Sequence, residues 1–145
     1  MGHAKEIVDR YWDAMEAGNL SGLDGLLAPD GVVTLPGGVR VEGPEQLTGL
    51  LQSYLEAFPG MRHEVVDYVE SGNKIAVELR ITMTHSGPFR TPAGEIPPTG
   101  KTVTVESVDV ITVEGGQVKS WHTYFDQLAF LQQLGLIPAP DAVPA

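Results

Sequence analysis

Lys74-Ile75-Ala76-Val77-Glu78-Leu79-Arg80-Ile81-Thr82-Met83-Thr84-His85-Ser86 alternates apolar and polar side chains. Val77, Leu79, Ile81, Met83 and His85 fall on one face, and Glu78, Arg80, Thr82 and Thr84 on the other. A period of two is the signature of a strand with one face toward a core, so residues 74–86 read as a long strand. His85 then ends an apolar, inward-facing row.

The same period runs on both sides of this stretch. Arg62–Glu70 reads as a strand joined to it by Ser71-Gly72-Asn73. Lys101–Val113 and Gln117–Phe125 read as two more, joined by the hairpin turn Glu114-Gly115-Gly116. In the first of these, Val103, Val105, Ser107, Asp109 and Ile111 share a face that is apolar apart from Ser107 and Asp109. Four long strands joined by hairpins predict a curved antiparallel sheet. Gly87–Gly100, rich in Pro and Gly, is expected to be an ordered loop or lid.

Upstream the period changes to that of a helix. From Ala4 to Ala17, Ile7, Val8, Tyr11, Trp12 and Met15 keep helical spacing, and Gly18-Asn19 supplies the stop. Ser21 and Asp24 suggest a capping box for a short second helix carrying Leu23, Leu26 and Leu27, broken by Pro29-Asp30-Gly31. Val32–Leu35 and Val39–Val41 predict a small hairpin around Pro36-Gly37-Gly38. Gly43-Pro44-Glu45 opens a third helix whose face holds Leu47, Leu51, Tyr54, Leu55 and Phe58, ended by Pro59-Gly60. A last helix is expected from Asp126 to about Leu136, with Asp126 as its N-cap. Helices segregated from an antiparallel sheet make an α+β fold, cone-shaped and closed by helices around a pocket. Residues 1–136 are expected to form a single domain, and 137–145 a Pro- and Ala-rich tail that frays.

Composition narrows the chemistry. Nine Lys and Arg against nineteen Asp and Glu give a net charge of −10 without a basic stripe, which opposes binding to a phosphate backbone. Nucleic acid is therefore not an expected partner. The absence of cysteine removes thiol nucleophiles, thiolate metal sites and disulfides. No apolar run approaches the roughly 18–20 residues that cross a bilayer, and no signal-peptide pattern opens the chain, so no membrane is expected and the location is read as cytoplasmic. No His and carboxylate grouping has metal-ligand spacing and no Gly-rich phosphate loop occurs, so neither metal nor cofactor is expected.

Several stretches resemble a known family. Tyr11-Trp12-Asp13-Ala14-Met15-Glu16-Ala17-Gly18-Asn19 and Leu26-Leu27-Ala28-Pro29-Asp30 are similar to the opening of the nuclear transport factor 2-like superfamily. Thr84-His85-Ser86-Gly87-Pro88-Phe89, Pro97-Pro98-Thr99-Gly100-Lys101, and Asp126-Gln127-Leu128 through Gln133-Leu134-Gly135 resemble its SnoaL-like polyketide cyclase branch. The resemblance spans about residues 4–136. It implies the cone fold, and a cofactor-independent cyclase or isomerase acting on a hydrophobic, polyketide-like carbonyl compound through an enolate. The alternative is a non-catalytic small-molecule-binding domain of the same fold, and a further one is an interaction module with an empty cavity.

By resemblance to the ketosteroid isomerases, Tyr11 and a protonated Asp109 match two donors to an enolate oxygen. The isomerase base position is Leu35 in this chain. Resemblance to the cyclases implies a His on the penultimate strand and an acid/base Asp on the last; this chain departs from that pattern, with Asp109 and Thr123 at those positions, or His122 if the register shifts by one. Epoxide hydrolases of this fold use an Arg between two Asp residues, and here Arg80 falls on the outer face.

Asp109, His85 and Tyr11 are thus the candidate catalytic residues, Asp109 and Tyr11 stabilising oxyanion charge and His85 moving the proton. Each also has a plain structural reading: a hydrogen-bonded carboxylate, a core histidine, a core aromatic. His63, Tyr54, Trp121, Thr123, Phe125 and Trp12 are the candidate substrate-binding residues, the aromatic ones serving equally as core packing. Val108 and Val110, beside Thr104, Glu106 and Thr112, form an outer row apolar enough for a homodimer through the sheet face.

Overall fold

The computed structural model describes residues 3–91 and 94–138. In chain order the elements are α1 (His3–Ala17), a 3-10 turn (Leu20–Leu23), β1 (Leu27–Leu35), β2 (Val39–Glu42), α2 (Gly43–Ala57), β3 (Arg62–Ser71), β4 (Lys74–Thr84), β5 (Phe89–Thr91), β6 (Gly94–Ile96), β7 (Thr102–Glu114), β8 (Gln117–Phe125) and α3 (Gln127–Gln133). The α+β class is as expected. Six strands form one curved sheet in the order β2-β1-β8-β7-β4-β3.

The alternating stretches sit at its centre. β4 pairs with β7 over its whole length, Lys74 opposite Thr112 and Thr84 opposite Thr102. Ile75, Val77, Leu79, Ile81 and His85 are buried while Glu78, Arg80 and Thr82 are exposed, as the period of two requires. In β7, Val103, Val105, Ser107, Asp109 and Ile111 are buried in the same way. These rows face the helices and form one core, in which truncating a residue such as Leu79 to Ala would cost about 2–5 kcal/mol.

Three sequence expectations are corrected. The capped second helix does not form: residues 20–23 make only the 3-10 turn, without a side-chain cap, and the Ser21 hydroxyl bonds the Asn19 side chain instead. Leu27 already belongs to β1, and a register shift between Leu27 and Val32 absorbs Pro29-Asp30-Gly31 as an irregularity within the strand. The sheet is also not wholly antiparallel, because β1 runs parallel to β8. A strand before α2 and a strand at the end of the chain have no hairpin between them, so local sequence carries no sign of that pairing.

α1 packs over β3, β4 and β7, and α2 over β1, β2 and β5. α1 ends in a Schellman motif, Asn19 N–H bonding Ala14 O and Gly18 N–H bonding Met15 O, with Gly18 in the left-handed region at φ +67°. Asp126 caps α3 as expected, accepting from Ala129 N–H at 2.9 Å. Gln133 then clips α3 to β7, its side-chain amide exchanging hydrogen bonds with both Thr104 N–H and Thr104 C=O. The stretch expected as an ordered loop or lid carries the small hairpin β5-β6, held to α2 by Phe89 and by an Arg90–Glu56 ion pair of 3.6 Å. Its approach is close: a Cβ on Gly87 would lie 1.8 Å from Glu56 O, so only glycine fits there. Most of the tail expected at 137–145 lies outside the described residues.

Candidate active site

Between the concave face of the sheet and helices α1, α2 and α3 lies a cavity that leaves about 100 Å³ open to the centre of a water molecule. Its wall is mostly Leu, Met, Val, Ile and aromatic side chains. The polar exceptions are Tyr11 from α1, Tyr54 from α2, Asp109 from β7 and Thr123 from β8, with the indoles of Trp12 and Trp121. A mostly apolar concavity with a few convergent polar groups is the ordinary form of a small-molecule site.

The sheet register builds the polar end. Asp109 stands opposite Val77 on β4 and Thr123 on β8, and Ile111 stands opposite Trp121. Trp121 and Thr123, two apart on β8, therefore turn inward beside Asp109, and His122 turns outward, where its Nδ1 lies 2.6 Å from Thr34 Oγ1. The register of the last strand is thereby fixed with Trp121 and Thr123 in the cavity.

Asp109 is 2% exposed, and its Oδ1 has no hydrogen-bond partner. Burial pushes its carboxyl up to about 7, against the lowering effect of hydrogen bonds from the Thr123 hydroxyl and the Trp121 indole. A carboxyl held there exchanges a proton readily near neutral pH. Tyr11 is driven far above the ordinary phenol value, first by burial and then by the neighbouring Asp109 charge, so it stays a neutral hydrogen-bond donor. Its ring lies against Trp121 at 4.6 Å and edge-on to Trp12 at 5.0 Å. Burial also raises Tyr54.

Seven of the nine expected site residues line this cavity: Tyr11, Trp12, Tyr54, Asp109, Trp121, Thr123 and Phe125. The two histidines do not. His85 is wholly buried behind the cavity wall, its ring against Phe58 and Phe89 and its Nδ1 3.0 Å from Thr99 Oγ1 and 3.2 Å from Thr99 N. Burial lowers its pKa, the Gly87 backbone pulling the other way. The inward parity of His85 is right, but β5-β6 covers the end of its row, so it fastens the root of the hairpin instead of standing at a cavity mouth. His63 stacks on Trp12 at 5.3 Å, while its Nδ1 and its backbone N–H share Glu16 Oε1. It buttresses a wall residue from outside.

Ile81, Met83 and Val105, which the alternation set on inward rows without marking them as site residues, belong to the cavity wall. Met61, just past the break at Pro59-Gly60, carried no periodic signal. Leu35 lines the cavity at the end of β1, so no base stands at the ketosteroid isomerase position. Arg80 is on the outer face, paired with Glu64 at 2.7 Å and Glu106 at 3.8 Å, and does not form an epoxide hydrolase centre.

The chain is similar to several solved structures. A provisionally assigned SnoaL-like polyketide cyclase from Jannaschia sp. CCS1 matches at 26% identity over 94% of each chain, with a TM-score of 0.81. IdmH from Streptomyces antibioticus, also provisionally assigned as a polyketide cyclase, matches at 28% identity over 90% of this chain and 97% of its own, with a TM-score of 0.73. An LEH-like epoxide hydrolase from M. tuberculosis, at 19% identity over 92% of this chain and 90% of its own and a TM-score of 0.71, shares the fold alone. No curated protein matches the sequence significantly. The SnoaL-like domain model matches residues 8–121, most of the chain and nearly every element that builds the cavity, and the chain belongs to the SnoaL-like domain family.

Proposed function

We propose that this SnoaL-like domain catalyses a cofactor-independent cyclisation or isomerisation of a hydrophobic, polyketide-like carbonyl compound through an enolate. Asp109 is the proton carrier and Tyr11 the donor to the enolate oxygen. Ionised Asp109 takes the proton from the carbon next to the carbonyl. The C–H electron pair moves into the new C=C bond and the carbonyl π pair onto oxygen, where the Tyr11 hydroxyl donates a hydrogen bond. Protonated Asp109 then returns the proton, either to the γ-carbon of the dienolate formed from a β,γ-unsaturated substrate, which completes an isomerisation, or to the alkoxide formed when the enolate carbon attacks a second carbonyl of the same molecule. Atoms balance, and nothing is oxidised.

The supporting observation is the buried, half-unpartnered Asp109 carboxyl beside Tyr11 in an otherwise apolar cavity. His85, with its ring enclosed by Phe58, Phe89 and Thr99, is not the proton carrier in this scheme. Leu35 offers no second base, so one carboxyl both takes and returns the proton. Aromatic polyketides and smaller cyclic ketones, screened by thermal shift and followed by mass and chromatographic detection of product, test the reading. Conversion by the wild type, lost in Asp109→Asn with binding kept, is the expected result. Ligands that bind and are returned unchanged by the wild type would instead favour a binding module.

The outer face supports a homodimer as part of the same proposal. Val66, Val108 and Tyr124 are exposed there, between the charged Glu78, Arg80 and Glu106. Sedimentation at micromolar concentration should give twice the chain mass; monomer alone would remove the dimer from the account.

A further inference from the structure

The Asp109 carboxyl lacks a counter-ion as well as a full set of hydrogen bonds. Among the described residues lining the cavity there is no Lys, Arg or His, and Asp109 is the one carboxyl. The elements packed on it present neutral groups: Val77 from β4, Trp121 and Thr123 from β8, Tyr11 from α1 and Tyr54 from α2, while the titratable His63 of β3 stacks on Trp12 from outside the cavity. A carboxylate removed from water without a positive partner is costly, and it is neutralised either by a proton or by a cation brought to it.

The walls suit one class of cation. The Tyr11 and Trp121 rings meet at 46° with centroids 4.6 Å apart, Trp12 stands nearly perpendicular to Tyr11, and Tyr54 and Phe125 complete an aromatic lining. Aromatic faces attract a cation through their quadrupole, and the attraction grows when water is excluded. A primary ammonium has three N–H groups to satisfy, and beyond the Asp109 carboxyl this lining offers it only the neutral hydroxyls of Tyr11, Tyr54 and Thr123. A quaternary ammonium has no N–H to satisfy and needs only ring faces and an anion. The chain's net charge of −10 also favours the approach of cations over anions.

From this geometry we infer that the cavity binds small organic quaternary ammonium ions, with ionised Asp109 as counter-ion and the cavity-facing sides of the Tyr11, Trp12 and Trp121 rings as the aromatic wall. Such ligands compete with neutral carbonyl compounds for one space. The inference stands whether or not Asp109 moves a proton, so it can hold for an inactive domain and fail for an active one.

The test is calorimetric titration of the full chain with phenyltrimethylammonium and with its uncharged isostere tert-butylbenzene, at pH 8 and pH 5.5. The expected result is about tenfold tighter binding of the cation at pH 8. That advantage should vanish at pH 5.5, where Asp109 is protonated, and in Asp109→Asn at pH 8, while tert-butylbenzene keeps its affinity in both cases. Equal or tighter binding of the isostere by the wild type at pH 8, failure of the cation to bind there, or an advantage that survives in Asp109→Asn would each overturn the proposal.

Discussion

Asp109 and His85 are both buried polar residues on the inward rows of neighbouring strands, yet their surroundings give them opposite work. Asp109 sits mid-strand, faces open cavity, and keeps an oxygen without a partner. His85 lies just beyond the end of β4 and is sealed by the β5-β6 hairpin; its Nδ1 is spent on Thr99, and its Nε2, also without a partner, faces packed side chains and not open cavity. An inward position therefore does not make a residue functional; what covers it decides. Burial also shifts the two groups oppositely, disfavouring the charged form of each: Asp109 is raised and His85 lowered.

Asp109→Asn should break the comparison most sharply. If Asp109 carries the proton, the variant loses about 10³-fold in kcat, read by product formation on whichever carbonyl compound is converted, while His85→Gln stays within a few fold. Comparable losses in both variants would return His85 to the chemistry.

The same Asp109→Asn substitution should stabilise the fold above pH 7 by on the order of 4 kcal/mol, read by chemical denaturation. The sign follows from the raised pKa. The folded state holds this proton more tightly than the unfolded chain, so its contribution to stability is full below pH 3.8 and is lost as pH rises through about 7. Variant and wild type should converge near pH 4.

Tyr11→Phe removes a hydroxyl donor and keeps the ring against Trp121. It should cost about 10²-fold in kcat with little change in ligand affinity, since the hydrogen bond strengthens only as charge develops on the substrate oxygen. A rise in KM with kcat intact would make Tyr11 a binding residue only.

His85→Ala should cost about 2–3 kcal/mol by leaving a void between Phe58 and Phe89 and unpairing Thr99. For the native histidine, whose folded pKa is depressed, the stabilising contribution is present above about pH 6.5 and is lost as pH falls through the lowered value. Acid titration of stability in wild type and variant reads it directly.

The halves of the site differ in how far the sequence reveals them. Period-two alternation placed Val77, Leu79, Ile81 and Asp109 correctly, because a strand buried on one face leaves no other register. Family resemblance singled out Tyr11 and Thr123, and parity on β8 brought in Trp121. The covering of His85 depended on a loop folding back as a hairpin, which no periodicity encodes. The parallel pairing of Leu27–Leu35 with β8 is likewise non-local, and the leucines at 26 and 27 looked helical because an apolar pair fits either period. His63 had inward parity, but Glu16, one helix away, captured its imidazole.

The most direct test of the central claim is an NMR titration of the Asp109 carboxyl carbon in labelled protein, assigned by its loss in Asp109→Asn. A midpoint close to 7 is the predicted result, as required of the cavity's proton carrier. A midpoint near the ordinary aspartate value of about 4 would contradict it, leaving Asp109 a plain structural carboxylate.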